Sequence, residues 1–125
     1  MELINKDYTY AVIGASNSPD KYGYKVLKDL KEKGFNVVPI NPKEKKILGL
    51  NVYANVNQVQ QSIDVAIFIV PPNITERILE EIEQKGIRKI WMQPGSESEK
   101  AIKYCKEHNI ECAHDVCIMI NTNGE

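Results

Sequence analysis

Apolar runs of strand length alternate with amphipathic stretches of helix length through most of the chain, and this alternation limits the available folds more than any other feature. The clearest run is Asp64-Val-Ala-Ile-Phe-Ile-Val70, continuously apolar after its first residue, as expected of a parallel strand covered on both faces. Shorter runs at Tyr10–Ile13, Phe35–Ile40, Arg88–Met92 and Ile110–Ala113 complete a set of five predicted strands. Between them the helix signals repeat. Ser18 is placed to cap a helix that opens on Pro19, carries Val26, Leu27 and Leu30 on one face, and closes at Gly34. Val56, Val59 and Ile63 are spaced for a short helix, after a turn at Gly49. Pro71-Pro72 stops the third strand, and Asn73 is placed to cap a helix bearing Ile74, Ile78, Leu79 and Ile82. Ser96-x-x-Glu99 reads as a capping box for a helix that turns Ala101, Ile102 and Cys105 inward. The tail from Asp115 predicts a frayed end.

Strand and helix in strict alternation, joined by right-handed crossovers, predict an α/β fold: a Rossmann-like, doubly wound, five-stranded parallel sheet in a single domain with its core at about residues 8–118. Ligands of such sheets bind where loops leave the carboxyl ends of the strands. Here those loops are 14–18, 41–46, 71–73, 93–96 and the segment from His114 onward.

Composition removes several classes of function. Sixteen basic residues stand against seventeen acidic, for a net charge of −1, which lacks the cationic surplus of a general nucleic-acid coat. No run approaches the roughly 20 apolar residues of a membrane span. The first residues show no basic-then-apolar signal pattern, so a cytoplasmic location with reduced Cys105, Cys112 and Cys117 is expected. The edge strands and exposed helix faces of such a sheet leave room for a homodimer.

The first loop, Gly14-Ala15-Ser16-Asn17-Ser18-Pro19-Asp20-Lys21-Tyr22-Gly23, puts a glycine at the strand end, small residues after it and a helix start beyond. Backbone N–H groups so arranged can approach a phosphate. The spacing is not the dinucleotide fingerprint, because the next glycine is Gly23, and the loop lacks the Gly-Lys-Ser/Thr ending of a P-loop. A plain turn is the bland alternative. The second loop, Asn41-Pro42-Lys43-Glu44-Lys45-Lys46, has no carboxylate at the strand end where NAD enzymes hold the ribose 2′-hydroxyl. Its lysines suit a phosphorylated ribose, either the 3′-phosphate of coenzyme A or the 2′-phosphate of NADP, unless they form a solvated charged loop. Pro71 and Pro72 donate no backbone hydrogen bonds and make a stiff apolar lip, or simply end the strand. Gln93-Pro94-Gly95 brings an amide to the same edge, and Trp91 reads as core.

Reaction centres are harder to assemble. Cys112-x-His114-x-x-Cys117 matches no common zinc spacing. His114 and Cys117 lie three residues apart in a loop, a spacing that does not guarantee contact. His108 stands where it complements the end of a helix dipole, and Asp115 has no evident acid–base partner.

Five motifs then occur in order: Gly14-Ala15-Ser16, Asn41-Pro42, Pro71-Pro72, Ile90-Trp91-Met92-Gln93-x-Gly95 and Asp115-Val116-Cys117. Together they resemble the small stand-alone CoA-binding proteins, similar to the CoA-binding domain of the succinyl-CoA synthetase α subunit. The resemblance implies a coenzyme A (or acyl-CoA) ligand with its diphosphate over Gly14, Ala15, Ser16 and Asn17, flanked by Tyr22. It implies the 3′-phosphate beside Asn41, Pro42 and Lys43, and the remaining arm past Pro71, Pro72, Met92, Gln93 and Pro94. Small members of that family often carry arginine where this chain has Val116. The synthetases keep their phosphorylated histidine in a second domain, so their reaction does not carry over. The expected function is non-catalytic or regulatory CoA binding, with the thiol end toward Gln93 and His114. The alternatives are an NADP-dependent oxidoreductase or redox-sensing domain, and an interaction module whose cleft has lost its ligand.

Overall fold

A computed structural model of the chain describes residues 3–124, so the readings of Met1, Glu2 and Glu125 lie outside it. Five parallel strands form the main sheet: β1 (Thr9–Ile13), β2 (Asn36–Ile40), β5 (Val65–Phe68), β6 (Lys89–Met92) and β7 (Glu111–Ala113). Their order is β2-β1-β5-β6-β7, every neighbouring pair parallel. The chain winds outward from β1 to β2 and then returns past β1 to β5, so direction reverses between β1 and β5. That reversal opens a crevice at the carboxyl ends of the two strands.

Side-chain alternation along the strands divides the core in two. Tyr10, Val12, Val65, Ile67 and Trp91 face α1 (Tyr22–Glu32) and the C-terminal α4 (Ile118–Asn121). Ala11, Ile13, Ala66, Phe68, Ile90 and Met92 face α2 (Pro72–Gln84) and α3 (Glu99–Glu107). The doubly wound parallel sheet expected from the sequence is therefore what forms.

Local signals shift where two residues compete for one role. Helix α1 starts at Tyr22 behind an extended Lys21, and no side chain caps it. Ser18 and Pro19 instead form a turn closed by the Lys21 N–H on the Ser18 carbonyl at 3.0 Å, since proline fits the second position of a turn as well as it fits a helix start. Helix α2 starts at Pro72, with Pro71 rather than Asn73 as its cap residue. Ser98, not Ser96, caps α3 by accepting the Ala101 N–H at 3.0 Å. The Ser96 hydroxyl is already engaged, accepting the Val70 N–H at 3.1 Å. The third strand stops at Phe68, short of its apolar run; beyond it the Val70 N–H goes to the Ser96 hydroxyl, and ahead of it Asp64 turns its carboxylate onto the Thr9 N–H at 2.8 Å.

Between β2 and β5 the predicted helix reduces to one 3₁₀ turn, Val56–Gln58, although Val56, Val59 and Ile63 are all buried as the pattern requires. Ahead of it lies a short hairpin, β3 (Lys46–Ile47) with β4 (Leu50–Asn51). Tyr53 then makes a single parallel bridge to Ile40. The tail is likewise ordered. Ile118 and Thr122 are buried, and the Lys33 ammonium donates to the Met119 carbonyl at 2.7 Å and the Thr122 hydroxyl at 3.0 Å.

Candidate functional site

Gly14 ends β1 at φ +96°, a conformation that L side chains rarely adopt. A Cβ there would lie 2.2 Å from the Ile69 carbonyl oxygen, so only glycine lets the loop turn this close to the end of β5. Behind it the backbone is open. Among the described residues, the N–H groups of Ala15, Ser16 and Asn17 take no intramolecular partner, while the Ser16 hydroxyl accepts the Ser18 N–H at 3.0 Å. Three adjacent N–H groups without acceptors, in a loop that enters a helix, form a ready anion cradle.

Asparagines join the first two loops. Asn41 donates from Nδ2 to the Ala15 carbonyl at 2.7 Å and accepts the Lys43 N–H on Oδ1 at 2.8 Å, so one side chain sets both loops. Asn17 donates to the Glu44 carboxylate and to the Lys46 carbonyl. The Asn17 amide is thus committed to the second loop rather than to the space above the cradle. Lys43, Lys45 and Lys46 are exposed, and among the described residues none of them forms an ion pair. The carboxyl edge therefore carries three uncompensated ammonium groups beside one carboxylate.

Two clefts flank this loop. The larger, about 550 Å³, is lined by Tyr22, Ile69, Val70, Pro71, Pro72, Gln93, Pro94, Gly95, Ser96 and Cys117. The smaller, about 300 Å³, lies on the other side of the crevice between Ile13, Gly14, Ile40, Asn41 and Pro42 and the α2 side chains Ile74, Arg77 and Ile78. Val70 lines both. Of the sequence-predicted contacts, Tyr22, Pro71, Pro72, Gln93 and Pro94 line the larger cleft and Gly14, Asn41 and Pro42 the smaller. Ala15, Ser16, Asn17 and Lys43 belong to the loops between and beside the clefts and line neither, whereas Met92 is fully buried against α2 and α3, in register with Phe68, and away from both. His114 also stays out of them and pairs with Asp115. Asp115 thus has a partner that its position in the sequence did not suggest.

Several lining residues carried little signal in the sequence. Val70 looked like strand interior, and Arg77 is one charge on a solvated helix. Asn55 sits in the smaller cleft with a buried Oδ1 that has no hydrogen-bond partner among the described residues. Gly23 lines neither cleft but packs against Gly14, and it carried a readable clue, since glycine inside a helix costs about 1 kcal/mol relative to alanine and so needs a packing reason.

The segment Gln93–Ser96, which follows β6, lines the larger cleft. The buried Gln93 side chain accepts the Ile118 N–H on Oε1 at 2.7 Å and directs Nε2 toward the Cys117 sulfur at 3.4 Å. Trp91 donates its indole N–H to the Val116 carbonyl at 3.0 Å. Cys117 is thereby fixed from both sides. The other two thiols lie on the opposite face of the sheet, where a hydrogen bond from Cys105 holds the Cys112 thiol low and that partner pushes Cys105 up. Among the described residues no cluster of three or more His, Cys, Asp or Glu is arranged to hold a metal, and no helix is long and apolar enough to cross a membrane.

A doubly wound parallel sheet with free loop N–H groups at its switch point defines a Rossmann-like class of fold. The family comparison narrows that class. The CoA binding domain model matches residues 8–123, and the chain belongs to that family. It is 36% identical over 88 residues to the ADP-forming acetate–CoA ligase of Methanocaldococcus jannaschii, covering 70% of this chain and 12% of that protein. It is 42% identical over 79 residues to the α subunit of ADP-forming acetate–CoA ligase II of Pyrococcus furiosus, covering 62% of this chain and 17% of that protein. The chain thus spans less than a fifth of these ligases. A solved structure of a conserved hypothetical protein from Pyrococcus furiosus superposes with a TM-score of 0.88 at 39% identity, over 92% of this chain and 99% of that one.

Proposed function

We propose that this chain binds coenzyme A or an acyl-CoA along the carboxyl edge of its sheet, as a binding or regulatory protein without a reaction centre of its own. The observation that carries this reading is the pair of clefts meeting at Val70 on either side of the Gly14–Asn17 loop. A ligand with an anionic middle and two dissimilar ends suits that layout, and coenzyme A has this shape.

The diphosphate sits over the free N–H groups of Ala15, Ser16 and Asn17, where hydrogen bonds to a charged acceptor are stronger than neutral ones. The adenine enters the smaller cleft among Ile40, Pro42, Val56 and Ile74, whose apolar walls suit a flat ring. Asn55 Oδ1, buried and lacking a donor, accepts from the exocyclic amino group. The ribose 3′-phosphate faces Lys43 and its neighbours. The pantetheine arm follows Val70, Pro71, Pro72 and Pro94 through the larger cleft, with Tyr22 on its outer wall.

Titration calorimetry with CoA, acetyl-CoA and NADP tests this reading. Saturable one-to-one binding of CoA or its thioester, with no heat from NADP, is the expected result. Binding of NADP without binding of CoA overturns it and favours the oxidoreductase class.

A further inference from the structure

The larger cleft has more room than the arm of coenzyme A needs. Its volume of about 550 Å³ falls among the roughly 300–1,000 Å³ pockets that hold an entire drug-sized ligand, yet the binding reading gives it one end of a ligand. Its walls are apolar, built from Tyr22, Ile69, Val70, Pro71, Pro72 and Pro94, and no lysine, arginine or histidine is among its lining residues. Most of its polar groups are engaged within the protein. Gln93 is 3% exposed; it accepts the Ile118 N–H on Oε1 at 2.7 Å and turns Nε2 to the Cys117 sulfur at 3.4 Å. The Gly95 N–H donates to the Glu97 carboxylate at 2.9 Å, which sets a negative charge beside this wall. Lys25 lies over the Tyr22 ring, 5.3 Å from its centroid, but is exposed and not part of the lining.

One buried donor is left over. Ser96 is 3% exposed, and its hydroxyl accepts the Val70 N–H at 3.1 Å while its own proton has no acceptor among the described residues. A buried O–H without an acceptor is costly, and a ligand carbonyl relieves that cost. A single donor among apolar walls suits a chain of methylenes that carries carbonyl groups.

We propose that the larger cleft is an acyl site, and that the ligand is a coenzyme A thioester of an uncharged aliphatic acid rather than free coenzyme A or the thioester of a dicarboxylic acid. This inference rests on the CoA-binding reading, which brings the thiol end of the ligand into this cleft. The acyl chain lies against the prolines, Ile69 and Tyr22, where each methylene removed from water adds to binding. A carboxylate at the end of that chain leaves water beside Glu97, with no cation on the lining to receive it.

The test is titration calorimetry of the chain with free CoA, acetyl-CoA, butyryl-CoA and succinyl-CoA. Butyryl and succinyl groups have the same number of carbons and differ at the far end, a methyl against a carboxylate. Each buried methylene strengthens binding roughly fourfold, so butyryl-CoA is expected to bind roughly 15-fold tighter than acetyl-CoA. Succinyl-CoA is expected to bind roughly tenfold or more weaker than butyryl-CoA. Pro94→Lys, at an exposed position on the wall, puts a cation at the cleft and is expected to raise succinyl-CoA affinity relative to butyryl-CoA roughly fivefold. No gain from acetyl to butyryl, equal affinities for butyryl-CoA and succinyl-CoA, or a ratio unmoved by Pro94→Lys overturns the acyl site. Binding of free CoA in that event leaves the CoA-binding reading standing, and absence of binding by all four ligands refutes both.

Discussion

Gly23 approaches Gly14 so closely that a Cβ on Gly23 would lie 2.0 Å from the Gly14 carbonyl oxygen. This contact seats the first turn of α1 directly on the end of β1 and so fixes how the intervening loop bulges toward the ligand edge. A dinucleotide fingerprint assigns such close helix–strand packing to its third glycine. Here Gly23 performs it from beyond a longer loop.

Replacing Gly23 with alanine therefore forces backbone apart rather than displacing a flexible side chain. Overpacking of this kind costs about 1–3 kcal/mol. Chemical denaturation of Gly23→Ala is expected to show a loss in that range. Calorimetry is expected to show CoA affinity lowered roughly tenfold, equivalent to about 1.4 kcal/mol. A variant of unchanged stability and affinity would remove the role given to this contact.

The lysine loop makes a separable contribution. Exposed ion pairs contribute about 0.2–1 kcal/mol each, so changing Lys43, Lys45 and Lys46 together to glutamine is expected to weaken CoA binding roughly 3- to 150-fold at low salt. Dephospho-CoA lacks the 3′-phosphate, so its affinity for the wild-type chain is expected to match that of CoA for the triple variant. If the substitutions weaken both ligands equally, the lysines act as a general field and the 3′-phosphate is not their target.

Thr75 lies on the buried face of α2, fully buried, and among the described residues its hydroxyl has no hydrogen-bond partner. An unsatisfied buried hydroxyl costs about 1–3 kcal/mol, and valine has nearly the same shape and helix propensity. Thr75→Val is expected to raise the unfolding free energy by about 1 kcal/mol without altering the fold. A clear loss of stability in urea denaturation would show that the hydroxyl is satisfied in solution.

At the opposite end of the sheet, the Tyr104 hydroxyl donates to the Glu83 carboxylate at 2.6 Å, and His108 stacks on Tyr104 while meeting the other Glu83 oxygen at 3.0 Å. The Tyr104 bond is the chief cause of a lowered Glu83 pKa, and the same bond pushes Tyr104 up to about 12. A raised tyrosine pKa means that the folded state holds its proton more tightly. The resulting stability is present below the ordinary value near 10.0 and is lost as pH rises toward about 12. For Glu83 the sign reverses: the contribution is present above its ordinary value of 4.5 and is lost as pH falls through the lowered value. Ultraviolet titration of the wild-type chain minus Tyr104→Phe is expected to show one phenolate appearing near 12. A difference signal centred at 10.0 would contradict the bond.

Periodicity and punctuation made the parallel sheet legible, because a buried parallel strand such as Val65–Phe68 must be apolar on both faces and Pro71-Pro72 must end it. Helix starts were legible only to within a few residues, for a physical reason. Ser96 and Ser98 both carry a hydroxyl able to cap, and tertiary demand from the Val70 N–H decided between them. The tail misled because its helix is only four residues long and is held by Lys33 from α1, a partner 86 residues away in sequence from Met119. Within the site, the turn at Gly14 and the Asn41-Pro42 stop were readable because a glycine at a strand end and an Asn-Pro pair both interrupt a strand, and Asn41 then ties the two loops through the Ala15 carbonyl. Val70, Asn55 and Arg77 were not, since only the packing of α2 beside β2 and β5 brings them together.

The most direct test of the account is a crystal structure of the chain grown with coenzyme A. It is expected to show the diphosphate within hydrogen-bond distance of the Ala15, Ser16 and Asn17 N–H groups, the adenine against Ile40 and Ile74, and the thiol end beside Cys117. Coenzyme A bound with its diphosphate away from that loop, or no coenzyme A at saturating concentration, would contradict it.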